Sequence, residues 1–196
     1  KKFNLFFVEH RKYVGGRYSV LSEVGILPSY LMGINIYKIR SKILDVIKKS
    51  NKISLKNNSF KITSLIKSKK FNNLIFLNYS PELEKFLFWC QQLIAESLGK
   101  NNKGLLPIVS NAPKDHHSLL QLYLDGPKDN VFYIFSIKKI LNKKEITVKH
   151  DNKFKTFLNQ KKISKIKDAQ KKALIKSLVK KNIPYREFKI KKINEE

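Results

Sequence analysis

Leu74-Ile75-Phe76-Leu77, then Ser80-Pro81-Glu82, then Leu83, Phe86, Leu87, Cys90, Leu93 and Ile94 form the stretch that decides the fold. Four consecutive apolar residues have the character of a strand buried on both faces. Ser80 offers a capping hydroxyl, Pro81 suits the first helical position, and Glu82 puts an acid in the first turn. The apolar residues that follow recur at helical spacing and trace one stripe. Gly99, with Lys100 beside it, is placed to end the helix. The stretch therefore reads as strand, turn and returning helix.

Downstream the alternation repeats. Residues 105–109 and 131–137 predict a second and third strand, with a helix over 118–124 between them. A helix is expected over 153–160, and a lysine-faced one over 163–181 with Ile166, Ala169, Ala173, Leu174 and Leu178 inward. Residues 186–190 read as a closing strand, and the lysine-rich 138–153 as an excursion. Upstream, residues 3–8 have strand length. Residues 19–33 and 36–49 are apolar at helical spacing, the former interrupted by Pro28. Residues 51–60 are polar and read as a loop or hairpin. Alternating strands and helices predict an α/β fold: a three-layer α/β/α sandwich with a mostly parallel sheet.

The 196 residues suffice for one well-buried domain. No run approaches the roughly 20 apolar residues that span a bilayer, and no secretory pattern is present, so no membrane partner is expected. The single cysteine, Cys90, excludes an internal disulfide and fits a reducing, cytoplasmic location. The net charge of +26 invites a nucleic-acid reading. Only four of the 41 basic residues are arginine, the side chain best suited to bidentate readout, and the lysines are scattered. Nucleic acid is therefore not the expected partner. The basic surface should still attract phosphorylated substrates at low salt.

Val14-Gly15-Gly16-Arg17-Tyr18-Ser19 concentrates two glycines and one of the four arginines in six residues. Gly-Gly permits close backbone approach, and Arg17 supplies a fixed cationic fork. The stretch fits an anion-binding turn, and equally a tight turn before a core helix with a surface arginine.

Gln92 and Glu96, four residues apart, share a helix face that is not the apolar stripe. Glu96 falls in the last turn, and this places it, on a sequence reading, near the carboxyl side of the preceding strand, where open α/β sheets bind ligands. The helix dipole disfavours carboxylate charge there, which suits a proton-transferring base; a solvated surface glutamate would read the same way. His116 and His117 adjoin at a helix start after Asp115. Adjacent histidines rarely bind one metal together, and no four-ligand set accompanies them, so no metal is expected. Either could act as acid or base, or simply bond to Asp115 or the backbone.

These segments carry a resemblance. Val14 to Ser19 resembles the first signature of the glucose-6-phosphate isomerase family. Glu96-Ser97-x-Gly99-Lys100 resembles its base-bearing segment, and Asp115-x-His117-Ser118 its histidine segment. The 21-residue step from Glu96 to His117 matches the bacterial branch and selects His117 over His116. The resemblance implies a sugar-isomerase (SIS), Rossmann-like domain. It implies interconversion of glucose 6-phosphate and fructose 6-phosphate through a cis-enediol, without metal or cofactor. Glu96 would be the base, Arg17 would stabilise the enediolate, Gly16 would lie against substrate and Gln92 would bond to it. His117 would assist ring opening, reaching across a homodimer into the partner's site.

The chain departs from the family pattern at Lys12, where an acidic or small residue is usual. Residues 1–13 hold no Ser/Thr-rich phosphate loop, and nothing after Arg186 matches the family's Gln-x-x-Val-Glu-x-x-Lys signature. Residues 1–196 are therefore expected to be the second SIS domain of such an enzyme, inactive or feeble alone. The alternative is a non-catalytic SIS-type module that binds sugar phosphates; retention of the proton-transfer glutamate argues against it.

Overall fold

The computed structural model describes residues 5–138, 146–147 and 160–193. It divides into two compact units, Leu65–Ile193 and Lys1–Ser64 with Asn194–Glu196.

In the N-terminal unit a 3-10 turn, Gly16–Leu21, precedes α1 (Glu23–Leu31), α2 (Ile36–Ser41) and α3 (Ile43–Ile47); α4 (Lys49–Lys67) runs on past its boundary. The helix expected over 19–33 is thus split at Ser22, and Pro28 lies inside α1. Gly33, at φ +77, ends it in a conformation that other residues adopt with strain. Asn35 restarts the chain as α2 by accepting a hydrogen bond from the Lys38 N–H. The strand expected over 3–8 does not form over residues 5–8, which carry no regular structure; residues 3 and 4 lie outside the described ones. The loop expected over 51–60 is helix. Its polar composition hides the fact that no glycine or proline falls between Gly33 and Pro81 to stop a helix.

The second unit bears the sheet. β1 (Asn73–Asn78), α5 (Glu84–Leu98), β2 (Leu106–Asn111), α6 (Lys114–Ser118), α7 (Leu120–Asp125), β3 (Asn130–Ile137), α8 (Ile163–Lys180) and β4 (Tyr185–Ile190) follow in order. The four strands are parallel, in the order β2-β1-β3-β4. The apolar run of β1 alternates between two cores. Ile75 and Leu77 join Phe132 and Ile134 beneath Tyr123 of α7 and Leu174 and Leu178 of α8. Leu74 and Phe76 join Val131 and Phe135 beneath Leu83 and Leu87, with Cys90 and Ile94 of α5 and Leu65 and Ile66 of α4 packed against them. This is the three-layer α/β/α sandwich expected. The helix expected over 153–160 lies almost wholly outside the described residues.

Asparagines fix both ends of β1. Asn73 donates to the Asn130 side chain at 3.0 Å at the amino edge, and Asn78 to that of Asn111 at 3.1 Å at the carboxyl edge. Ser80 does not cap the helix after it; its hydroxyl accepts the Ile137 N–H at 3.0 Å and ties β1 to β3.

Candidate active site

α5 holds two of the expected site residues. Leu87 is fully buried, and this sets the helix rotation so that Gln92 and Glu96 are exposed. The Gln92 amide donates to Glu96 Oε1 at 2.9 Å. Gly99 closes α5 by donating its N–H to Ala95 O at 3.0 Å. A Cβ on Gly99 would stand 2.5 Å from that oxygen, so only glycine permits this ending.

The edge of the sheet at which Glu96 sits is the reverse of the sequence reading. Glu84, at the start of α5, accepts from Asn111 Nδ2 at 2.7 Å, at the carboxyl end of β2. Gln91 donates to the carbonyl of Pro107 at 2.9 Å, at the amino end of the same strand. The helix therefore runs antiparallel to the strands, as a crossover helix must. Glu96 is 12 residues beyond Glu84, about 18 Å along the axis at 1.5 Å per residue, and lies towards the amino edge.

His116 and His117 lie at the opposite, carboxyl edge, on α6. The Asp115 carboxylate accepts from Ser110 Oγ at 2.9 Å and from the Asn111 N–H at 2.7 Å, which pins α6 to the end of β2. His116 packs edge-on against Tyr79 and bonds through Nε2 to its hydroxyl at 2.7 Å. Burial lowers the His116 pKa, only partly offset by Asp115, and burial raises that of the Tyr79 phenol. His117 is exposed. Of the two histidines, one is thus built into the fold and His117 is presented outward. Within one sheet unit Glu96 and His117 are about a strand length apart, roughly 17 Å at 3.3 Å per residue.

Gly16 and Arg17 belong to the N-terminal unit. Neither Gly15 nor Gly16 has positive φ, and nothing lies within 4 Å of a Cβ built on Gly16. The fold itself therefore makes no demand for glycine at 16. The Arg17 guanidinium stacks 4.7 Å from the Tyr18 ring centroid. Ser19 is buried and donates to Gly16 O at 2.6 Å.

Sequence reasoning missed the group that braces this turn. His10 bonds through Nε2 to the Val14 carbonyl at 3.0 Å and through Nδ1 to the Glu23 carboxylate. Both contacts call for a donor, and only the imidazolium form supplies the two at once. Glu23 raises the His10 pKa; its own backbone N–H and then His10 lower that of Glu23. An acid in the first turn of α1 was the available signal. Among the described residues no group of His, Cys, Asp or Glu is arranged to hold a metal ion, and no helix is long and apolar enough to cross a membrane.

No protein-family model matches the chain. Curated relatives do. It is 34% identical over 190 residues to the glucose-6-phosphate isomerase of Methanocaldococcus jannaschii, covering 93% of this chain and 46% of that protein. It is 30% identical over 199 residues to the probable glucose-6-phosphate isomerase of Methanococcus maripaludis, covering 100% and 44%. The enzyme of that name from Staphylococcus haemolyticus is 35% identical over 144 residues, covering 71% and 32%. The chain thus spans less than half the length of these relatives. A hypothetical protein from Thermus thermophilus shares the fold with a TM-score of 0.78 at 22% identity, covering 94% of this chain and 46% of that one. A glucose-6-phosphate isomerase from Chlamydia trachomatis does so with 0.71 at 16%, covering 94% and 39%.

Proposed function

We propose that this chain, which belongs to the glucose-6-phosphate isomerase family over somewhat under half the length of its relatives, is the part of such an enzyme that supplies the proton-transfer base, as its second SIS domain. The observation that carries the reading is the Gln92–Glu96 pair, an exposed carboxylate held by an amide one turn earlier at a helix end that only glycine can close.

In this reading Glu96 takes the proton from C2 of open-chain glucose 6-phosphate. The C2–H electrons form the C1=C2 double bond, and the carbonyl π pair moves to O1, giving an enediolate. Arg17 balances that charge, and the open side of Gly16 lets substrate approach the backbone. Transfer of the O2 proton to O1, and return of the C2 proton from Glu96 to C1 as O2 becomes the carbonyl oxygen, gives fructose 6-phosphate. The chemistry is proton transfer plus electrostatic stabilisation and calls for no cofactor.

Ring opening falls to His117 of a second copy. A base and an acid at opposite edges of one sheet cannot meet on one hexose, whereas a two-fold dimer pairs each Glu96 with the partner's His117. The working assembly is therefore proposed as a cytoplasmic homodimer that takes a sugar phosphate as its substrate.

The test uses the full-length enzyme. Glu96→Gln should lower kcat about 10²- to 10⁴-fold, the usual range for a general base, with KM little changed. His117→Ala should also lose activity. Co-expression of the two variants should restore about a quarter of the wild-type sites through mixed dimers. Full activity in Glu96→Gln sinks the base assignment, and a mixture no better than its components sinks the shared site.

A further inference from the structure

α6 is five residues long, Lys114–Ser118, and so short a helix has little stability of its own. Its rotation must be set by contacts with the sheet. Asp115 supplies the first anchor, on Ser110 and Asn111 at the end of β2. Ser110 is 1% exposed, so this anchor belongs to the core of the sheet. One anchor still leaves the helix able to roll about it.

Tyr79 supplies the second. It follows β1 directly, is 4% exposed, and donates its N–H to the Phe135 carbonyl of β3 at 2.9 Å. Its side chain belongs to the same apolar cluster as Ile75, Leu77 and Ile134. From that cluster its hydroxyl reaches His116 Nε2 at 2.7 Å, with the two rings edge-on and their centroids 5.5 Å apart. Burial lowers the His116 pKa and raises that of Tyr79, so the bond joins two neutral groups near neutral pH.

Successive residues of a helix stand about 100° apart around its axis. Asp115 is tied to β2 and His116 to Tyr79 at the end of β1, so two directions of α6 are fixed and the helix cannot roll. His117 comes about 100° further round and is exposed.

We propose that Tyr79 and His116 are positioning residues for His117: through α6 they fix the direction in which its imidazole is presented. The proposal rests on the reading of His117 as the ring-opening residue. Opening the ring of fructose 6-phosphate breaks the bond between O5 and C2. O5 gains a proton, the C2 hydroxyl gives one up, and its oxygen becomes the carbonyl. A group that moves those protons must come within about 2.6–3.2 Å of the atoms concerned. A misplacement of about 1 Å can cost on the order of 10²-fold. Glu96 sits on α5, so the later transfer between C1 and C2 does not depend on how α6 is turned.

Two substrates of the full-length enzyme test this. Fructose 6-phosphate must be opened, whereas 5-deoxyfructose 6-phosphate lacks the O5 that closes the ring. Tyr79→Phe should lower kcat/KM for fructose 6-phosphate about tenfold to a hundredfold and leave that for the open-chain analogue within about threefold. His116→Leu should show the same selective loss. His116→Gln, which keeps a polar atom at a similar reach, should recover most of it. His117→Ala should be selective in the same sense and lose more. Tyr79→Phe and His116→Leu lowering both substrates alike would mark a general effect on the fold and overturns the proposal, as does undiminished turnover in both or no recovery in His116→Gln. Selectivity in His117→Ala alone removes the Tyr79–His116 pair and leaves the ring-opening reading intact. A His117→Ala enzyme without selectivity sinks that reading, and the role of the pair with it.

Discussion

The sheet unit and the N-terminal unit are organised by different physics. The sheet unit owes its form to contacts between residues far apart in sequence: four strands in register and two apolar clusters, with Leu77, Leu87, Phe132, Ile134 and Leu178 fully buried. In the N-terminal unit the only buried side chain among the described residues is that of Ser19, and Leu31, Met32, Leu44 and Phe60 are exposed. Its order rests on local devices: the Asn35 cap, the Gly33 exit, and the His10 brace across 13 residues. Proposed chemistry falls in both. The proposed base, Glu96, sits on the helix that is rotationally locked by a core, and Arg17, the proposed anion stabiliser, sits on a turn held by short-range hydrogen bonds.

The largest test of this contrast is truncation. Leu87→Ala should cost about 2–5 kcal/mol in denaturant unfolding, as buried leucines do. Leu27→Ala, at a position 41% exposed, should cost well under about 1 kcal/mol. Equal costs would erase the distinction. Smaller and more local effects are expected at glycines. A Cβ on Gly25 would stand 2.0 Å from Val20 O, so Gly25→Ala must displace α1 from the turn before it. A cost of about 1–3 kcal/mol is expected, as for overpacking, seen as lost exchange protection at the Ser22 and Ile26 amides. Gly16→Ala should leave that protection intact while lowering kcat/KM of the full-length enzyme on the order of tenfold to a hundredfold, through displacement of substrate from the backbone. Wild-type kinetics in Gly16→Ala would remove the turn from the site.

The same contrast decides what is legible in the sequence. β1 and β3 stand out because strands buried on both faces must be continuously apolar, and α5 because its stripe packs on one core. Residues 51–60 of α4 read as a loop or hairpin because Lys, Asn and Ser around Ile53 and Phe60 give no single apolar face. Glu96, Gln92 and His117 are picked out by type and spacing, but the sequence reading puts Glu96 at the wrong edge of the sheet. Motif spacing along the chain does not carry direction; the return of α5 antiparallel to β1 does, and it separates Glu96 from His117. The His10–Glu23 brace has no spacing rule to announce it, since its partners meet only once the Gly-Gly turn has closed.

That brace supplies the smallest predicted effect and the most specific one for the N-terminal unit. His10 is half of an ion pair, and its folded pKa is raised above the ordinary 6.5. A raised pKa means that the folded turn binds the proton more tightly than the unfolded chain does. The stabilisation is therefore fully present below pH 6.5 and lost as pH rises through the raised value. Glu23 works in the opposite sense. Its pKa is lowered from 4.5, so its contribution is present above 4.5 and lost as pH falls through the lowered value. The brace is complete between these limits, and the Val14 carbonyl, immediately before Gly15-Gly16-Arg17, loses its imidazolium partner on the alkaline side. An NMR titration should place the His10 midpoint above 6.5, and Glu23→Gln should bring it back towards 6.5. The Tyr18 amide, which closes the turn onto Gly15 O, should lose protection over the same alkaline range once intrinsic exchange is subtracted. A His10 midpoint at or below 6.5, or one that Glu23→Gln does not move, would mean that the Gly-Gly-Arg turn is held without this pair.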